Sequence, residues 1–167
     1  MKEKVMEKGF DYAVERFSQV GVDIEAAIEL IDSIPISVHS WQGDDLIGFD
    51  GIGELTGGIA ATGNYPGRAS SAEELRQDLE KAFSFIPGKL KLNLHSCHAE
   101  TVDGHRVDRD NISIKQFQKW VDWAKQCKIG MDFNPTFFSH PKMDGDFSLS
   151  SEKEEIRKYL ARDLRKR

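Results

Sequence analysis

Three stretches of the chain alternate apolar and polar residues with a period of two: Ile36-Ser-Val-His-Ser-Trp41, Leu90-Lys-Leu-Asn-Leu-His95 and Ile129-Gly-Met-Asp-Phe-Asn134. On a β-strand this period separates the two kinds of residue onto opposite faces. One face takes Ile36, Val38, Leu90, Leu92, Leu94, Ile129, Met131 and Phe133. The other takes His39, Trp41, Asn93, His95, Asp132 and Asn134.

Between the strands the period changes to that of a helix. Leu75, Leu79, Ala82, Phe83 and Ile86 form one stripe behind a capping box at Ser71-Ala-Glu-Glu74. Ile114, Phe117, Trp120, Val121 and Ala124 form another behind Ser113-Ile-Lys-Gln116. Pro87-Gly88 stops the first of these helices. A final helix opens at Ser151-Glu-Lys-Glu154, with Ile156, Tyr159 and Leu160 facing inward. Ahead of the strands, Phe10, Ala13, Val14, Phe17 and Val20 follow helical spacing up to Gly21. Asp23 can cap a second helix carrying Ile24, Ala27, Ile28 and Ile31. These two helices are expected to cover one end of the sheet.

Strands separated by helices run parallel through crossover connections, so the expected class is α/β. Both faces of a parallel sheet are normally covered, which makes a polar second face unusual. The polar residues gather at the C-terminal ends of the strands, where ligands bind in α/β folds. His39, Trp41, Asn93, His95, Asp132 and Asn134 are therefore expected to line part of a small-molecule site. The alternative is an antiparallel, half-exposed sheet with solvated polar residues, and the intervening helical patterns oppose it.

The segment 42–70 has little periodicity and many glycines, together with Phe49, Ile52, Leu55, Ile59 and Tyr65, which can pack. A loop of this length inside a compact domain is usually functional or disordered; these packing residues oppose disorder, and it reads as a flap over the strand ends. Its glycine spacing matches neither of the common phosphate-binding motifs.

At 167 residues, with 39% hydrophobic and 31% charged residues and a net charge of -5, the chain fits one globular domain. No basic stripe interleaved with aromatics points to nucleic acid. No apolar run is long enough for a membrane span, and the N-terminal residues lack a signal peptide's apolar core. A cytoplasmic protein with both thiols, Cys97 and Cys127, reduced is the expectation.

His95, Cys97, His98 and His105 invite a metal reading, but no H-x-x-x-H, CxxC or carboxylate set completes a coordination sphere. On a continuing strand His95 and Cys97 would share a face while His98 pointed away, and solvent exposure suits His105. Cys97 as a nucleophile would need a nearby base, so a small apolar space-filler is the simpler reading. Ser40 and His39 are strand neighbours facing opposite sides and form no catalytic pair. Trp120 is expected in the core and Trp123 partly exposed. Trp41, at a strand end, suits a ligand wall and a core position equally.

The longer motifs resemble L-rhamnose isomerase. The resemblance rests on Ile36-Ser-Val-His-Ser-Trp-Gln-Gly-Asp-Asp45, Gly57-Gly-Ile-Ala-Ala-Thr-Gly-Asn-Tyr-Pro-Gly67, Ile86-Pro-Gly-Lys-Leu-Lys-Leu-Asn-Leu-His95 and Asp132-Phe-Asn-Pro-Thr-Phe-Phe-Ser-His-Pro141, with Trp120-Val-Asp-Trp-Ala-Lys125 between them. It runs in order from about Phe10 to about Ile156. It implies a (β/α)8 TIM barrel that interconverts L-rhamnose and L-rhamnulose with a divalent cation, usually manganese (Mn2+). The implied chemistry is ring opening followed by a metal-assisted hydride shift between C1 and C2. It places His95 against a sugar oxygen, Trp41 as a pocket wall, and the loop after Trp41 as the closing flap. Cys97 stands where the family typically has isoleucine against the sugar's methyl group, which bears on strict rhamnose preference. A homo-oligomer, a tetramer when full length, is also implied.

On this reading the chain is a partial (β/α)8 TIM barrel: two N-terminal helices over 1–35, then about the first three parallel strand–helix units over 36–167. A full barrel needs roughly 250 residues, and the family's metal-binding strands come later. The chain is therefore expected to hold no metal ligands and to be inactive alone, as a fragment of the enzyme or as a non-catalytic relative that binds a sugar or assembles with another chain. An open sheet with two edges further predicts self-association or dependence on a partner, unless the last helix folds back.

Overall fold

A computed structural model describes residues 2–40, 43, 48–49, 67–138, 140–145 and 147–165. The elements run α1 (Lys2–Ser18), α2 (Ile24–Ser33), β1 (Ile36–His39), α3 (Ala72–Phe83), β2 (Leu90–His95), α4 (Gln118–Cys127), β3 (Gly130–Asn134) and α5 (Glu154–Arg165). Short 3-10 turns at Ser96–His98, Arg109–Asn111 and Ile114–Phe117 interrupt the β2–α4 connection.

The strands form one parallel sheet in the order β1-β2-β3. Ile36 pairs with Leu90, Val38 with Leu92 and His39 with Asn93. Leu92 in turn pairs with Met131, Asn93 with Asp132 and His95 with Asn134. This register keeps apolar beside apolar and polar beside polar across all three strands, and a slip of one residue would mix the faces. The antiparallel alternative is excluded.

The core sits on the apolar face of the central strand. Leu92 and Leu94 are fully buried beneath Leu75 and Leu79 of α3 and Trp120, Trp123 and Ala124 of α4, with Ile112 and Phe117 closing the cluster. Trp123 is buried rather than partly exposed, because its indole N–H donates to Glu80 Oε1 at 2.7 Å across the α3–α4 seam. Arg76 is buried beside it, ion-paired to Glu100 at 2.6 Å and lying over the Trp120 ring.

The helix ends follow their local chemistry. Asp23 Oδ1 accepts the Ala26 N–H at 3.1 Å, Ser71 Oγ accepts the Glu74 N–H, and Gln116 Oε1 accepts the Ser113 N–H. Glu74 reaches one residue further back than expected, to the Ser70 N–H at 2.7 Å.

The N-terminal helices do not cover the sheet as expected. α1 and α2 pack on one another, no residue of α2 is buried, and Phe10, Phe17, Leu30, Ile31 and Ile34 are exposed. β1 and β3 are the two edges of the sheet. α5 docks instead on the Arg109–Asn111 turn through buried Tyr159 and Leu160.

Candidate functional site

The strand ends bring two histidines together. His39 closes β1 and His95 closes β2, with His39 Nδ1 3.3 Å from His95 Nε2. His39 is exposed, whereas His95 is 1% exposed. Asn93 and Asp132 lie in the same row as His39 across the sheet. The Asn93 Oδ1 atom is buried without a hydrogen-bond partner among the described residues, and Asp132 pairs with Lys91 at 3.3 Å.

Beyond His95 the chain leaves the strand for the 3-10 turn Ser96–His98, which cancels the alternation on which His98 was expected to point away. His98 is fully buried, its Nδ1 2.8 Å from Ser40 Oγ and its ring beside Phe49 and Trp120. Ser40 Oγ also accepts the His95 N–H at 3.2 Å. Ser40 thus joins the cluster through His98, not through its neighbour His39. No spacing in the sequence signals this pair, because a turn rather than a strand creates it.

The loop after β3 closes the other side. Ser96 Oγ donates to the Pro135 carbonyl at 2.6 Å, and Thr136 Oγ1 accepts the Ser96 N–H at 3.1 Å while lying 3.4 Å from His95 Nδ1. Thr136 is fully buried with φ +53, a left-handed conformation uncommon for a β-branched residue. Two groups hold it there. Asn134 Oδ1 accepts its N–H at 2.9 Å, and buried Arg109 donates Nη1 to the Thr136 and Phe138 carbonyls at 2.7 and 2.6 Å. Asn134 therefore shapes this turn. The sequence offered no sign of Arg109 or Thr136, whose contact spans 27 residues.

Cys97 is fully buried, and its carbonyl accepts the Phe49 N–H at 2.5 Å. Gly48, with φ +72, runs so close that a Cβ there would meet Cys97 Cβ at 2.9 Å. Trp41 and most of the segment 42–70 lie outside the described residues. Among the described residues no group of three or more His, Cys, Asp or Glu side chains could hold a metal ion. No described helix is long and apolar enough to cross a membrane.

Comparison with known proteins adds to this geometry. The family model for L-rhamnose isomerase (RhaA) matches residues 4–166. An L-rhamnose isomerase of Listeria monocytogenes serotype 4a (strain HCC23) is 50% identical over 159 residues, covering 95% of this chain and 37% of the relative. Those of Mannheimia succiniciproducens and Klebsiella pneumoniae are 49% and 50% identical over 155 residues, covering 92% of this chain and 36% of each relative. The chain thus spans about 37% of the length of the first of these curated relatives. A match over nearly all of its residues carries one conclusion: the chain belongs to the L-rhamnose isomerase family.

Proposed function

We propose that this chain supplies one sugar-facing side of an aldose–ketose isomerase that interconverts L-rhamnose and L-rhamnulose. The observation that carries the proposal is the pairing of His39 and His95 at the C-terminal ends of two parallel strands, beside Asn93 and Asp132 on the same face. Opening a sugar ring moves a proton from the anomeric hydroxyl to the ring oxygen, and imidazole, with a pKa near neutrality, suits that transfer. His95 is the group assigned to it. Asn93 Oδ1, an acceptor without a donor among the described residues, suits a sugar hydroxyl, and Trp41 is assigned as the pocket wall.

The hydride shift between C1 and C2 requires a Lewis acid such as Mn2+, and no cluster among the described residues supplies a site for one. Turnover is therefore assigned to a cytoplasmic protein in which further barrel strands complete the site, in a homo-oligomer. The same observation favours a second reading, a non-catalytic relative that binds the sugar or assembles with another chain.

Residues 1–167 titrated with L-rhamnose should shift the imidazole resonances of His39 and His95, and with manganese present should form no L-rhamnulose. Imidazole resonances that ignore the sugar up to saturating concentration would remove both readings. Turnover by residues 1–167 would remove the assignment of the metal to other strands. A reading frame continuing past Arg167 into further strands separates the isomerase from the non-catalytic relative.

A further inference from the structure

His95 is held at both ring nitrogens. His39 Nδ1 lies 3.3 Å from its Nε2, and Thr136 Oγ1 lies 3.4 Å from its Nδ1. A neutral imidazole has one N–H and one lone pair, so each neighbour's role constrains the other's. Thr136 Oγ1 already accepts the Ser96 N–H, and its own proton can go to the Asn134 carbonyl at 3.4 Å or to His95.

One arrangement serves every one of these contacts. His39 Nδ1–H donates to His95 Nε2, His95 Nδ1–H donates to Thr136 Oγ1, and the Thr136 hydroxyl donates to the Asn134 carbonyl. The reverse arrangement turns the Thr136 proton onto His95 and withdraws it from the Asn134 carbonyl. In a partly buried cluster the lost donor favours the first arrangement.

We propose that His39 is a positioning residue for His95, its Nδ1–H holding His95 as the Nδ1–H tautomer with a lone pair on Nε2. The inference rests on the sugar-facing reading of this site. His39 is exposed and so can turn aside, while Thr136 keeps the buried His95 ring in place. A sugar hydroxyl taking the position of the His39 N–H then meets an Nε2 already in its proton-accepting form. His39 thus preorganises the base without touching the reacting atoms.

The test reads the tautomer directly, by long-range 1H–15N correlation on residues 1–167 without sugar. The wild-type chain should show His95 protonated at Nδ1 and bare at Nε2. His39→Leu, which removes the donor, should move His95 toward the Nε2–H form, whereas His39→Asn, whose amide N–H can replace Nδ1–H, should keep the wild-type pattern. If His39→Leu fails to fold, His39→Phe preserves the ring's bulk and carries the same expectation. A wild-type His95 protonated at Nε2 overturns the proposal. An unchanged His95 tautomer in a folded leucine or phenylalanine variant, judged by wild-type Trp120 indole and β2 amide resonances, does so too. Since no sugar is present, failure here leaves the L-rhamnose titration free to stand or fall separately.

Discussion

Tyr159 donates its hydroxyl to Asp108 Oδ1 at 2.5 Å, joining the last helix to the loop that follows β2. His140 sits in the same knot, its Nε2 2.9 Å from Asp108 Oδ1. The His140 Nδ1 atom accepts the Lys142 backbone N–H at 3.1 Å, so the neutral ring carries its proton on Nε2, facing Asp108. Lys142 Nζ donates to the other carboxylate oxygen and lies over the Tyr159 ring. Three segments far apart in the sequence are tied at one carboxylate.

This knot sets a pH dependence. Burial pushes the His140 pKa down, and the neighbouring Asp108 does not reverse the shift. Burial alone would raise Asp108, but hydrogen bonds from Lys142, Tyr159, the Arg109 N–H and His140 outweigh it and hold the carboxyl well below the usual carboxylate range. Both groups bind protons less tightly folded than unfolded. Stability should therefore decline as pH falls below about 6.5 through His140 and decline further below about 4 through Asp108. Burial and Asp108 together raise Tyr159, so its contribution is present below about pH 10 and fades above that value. Urea midpoints measured from pH 2 to pH 8 should rise, and Asp108→Asn should flatten the part of the curve below about pH 4. Midpoints that fall over this range would contradict the assignment.

Arg109→Ala should lower stability by about 1–3 kcal/mol, because it leaves the carbonyls of Thr136 and Phe138 without their buried donor. The same change loosens Thr136, so the His95 imidazole resonances should broaden or move through the Thr136 Oγ1 contact at 3.4 Å. Chemical denaturation and histidine side-chain spectra check the two parts separately. A stable variant with unaltered His95 signals would show that the loop holds itself.

Gly48→Ala should cost about 1–3 kcal/mol, since it combines a positive φ with a Cβ forced to 2.9 Å from both Cys97 Cβ and the Cys97 carbonyl oxygen. The strain falls on the contact that lays Phe49 against His98 at 5.2 Å. Comparing denaturation midpoints of the two proteins tests it, and an unchanged midpoint would mean the loop yields freely.

Leu94→Ala should destabilise by about 2–5 kcal/mol, as expected for emptying a fully buried leucine site. Ile36→Ala, at an apolar position on the same face of the sheet but 53% exposed, should change stability by less than about 1 kcal/mol. Equal losses at the two sites would place the core elsewhere.

The uncovered faces of α1 and α2 predict concentration-dependent association, because Met6, Leu30 and Ile31 are 74%, 65% and 64% exposed. Light scattering across a dilution series should show it, and Leu30→Glu with Ile31→Glu should weaken it. Constant mass at every concentration would count against this expectation.

Much of the sheet could be read in advance because alternation is local. Ile36 with Leu90 and Leu92 with Met131 share a face simply because successive strand residues point opposite ways, and the need to keep apolar beside apolar then selects the register. The Asp23 cap and the buried Trp120 followed from equally local patterns. His98 escaped that logic at the point where the strand gave way to a 3-10 turn, and Trp123 became buried through Glu80, 43 residues away.

Amino-acid order alone settled which side chains could look the same way, since backbone geometry imposes that at every strand residue. Folding decided which of them meet. His39 and His95 stand 56 positions apart, and the 3.3 Å between their rings depends on strand register and on turns that Arg109 and Thr136 hold from outside the strands. Those contacts join distant segments, so no periodicity within any one of them encodes the distance.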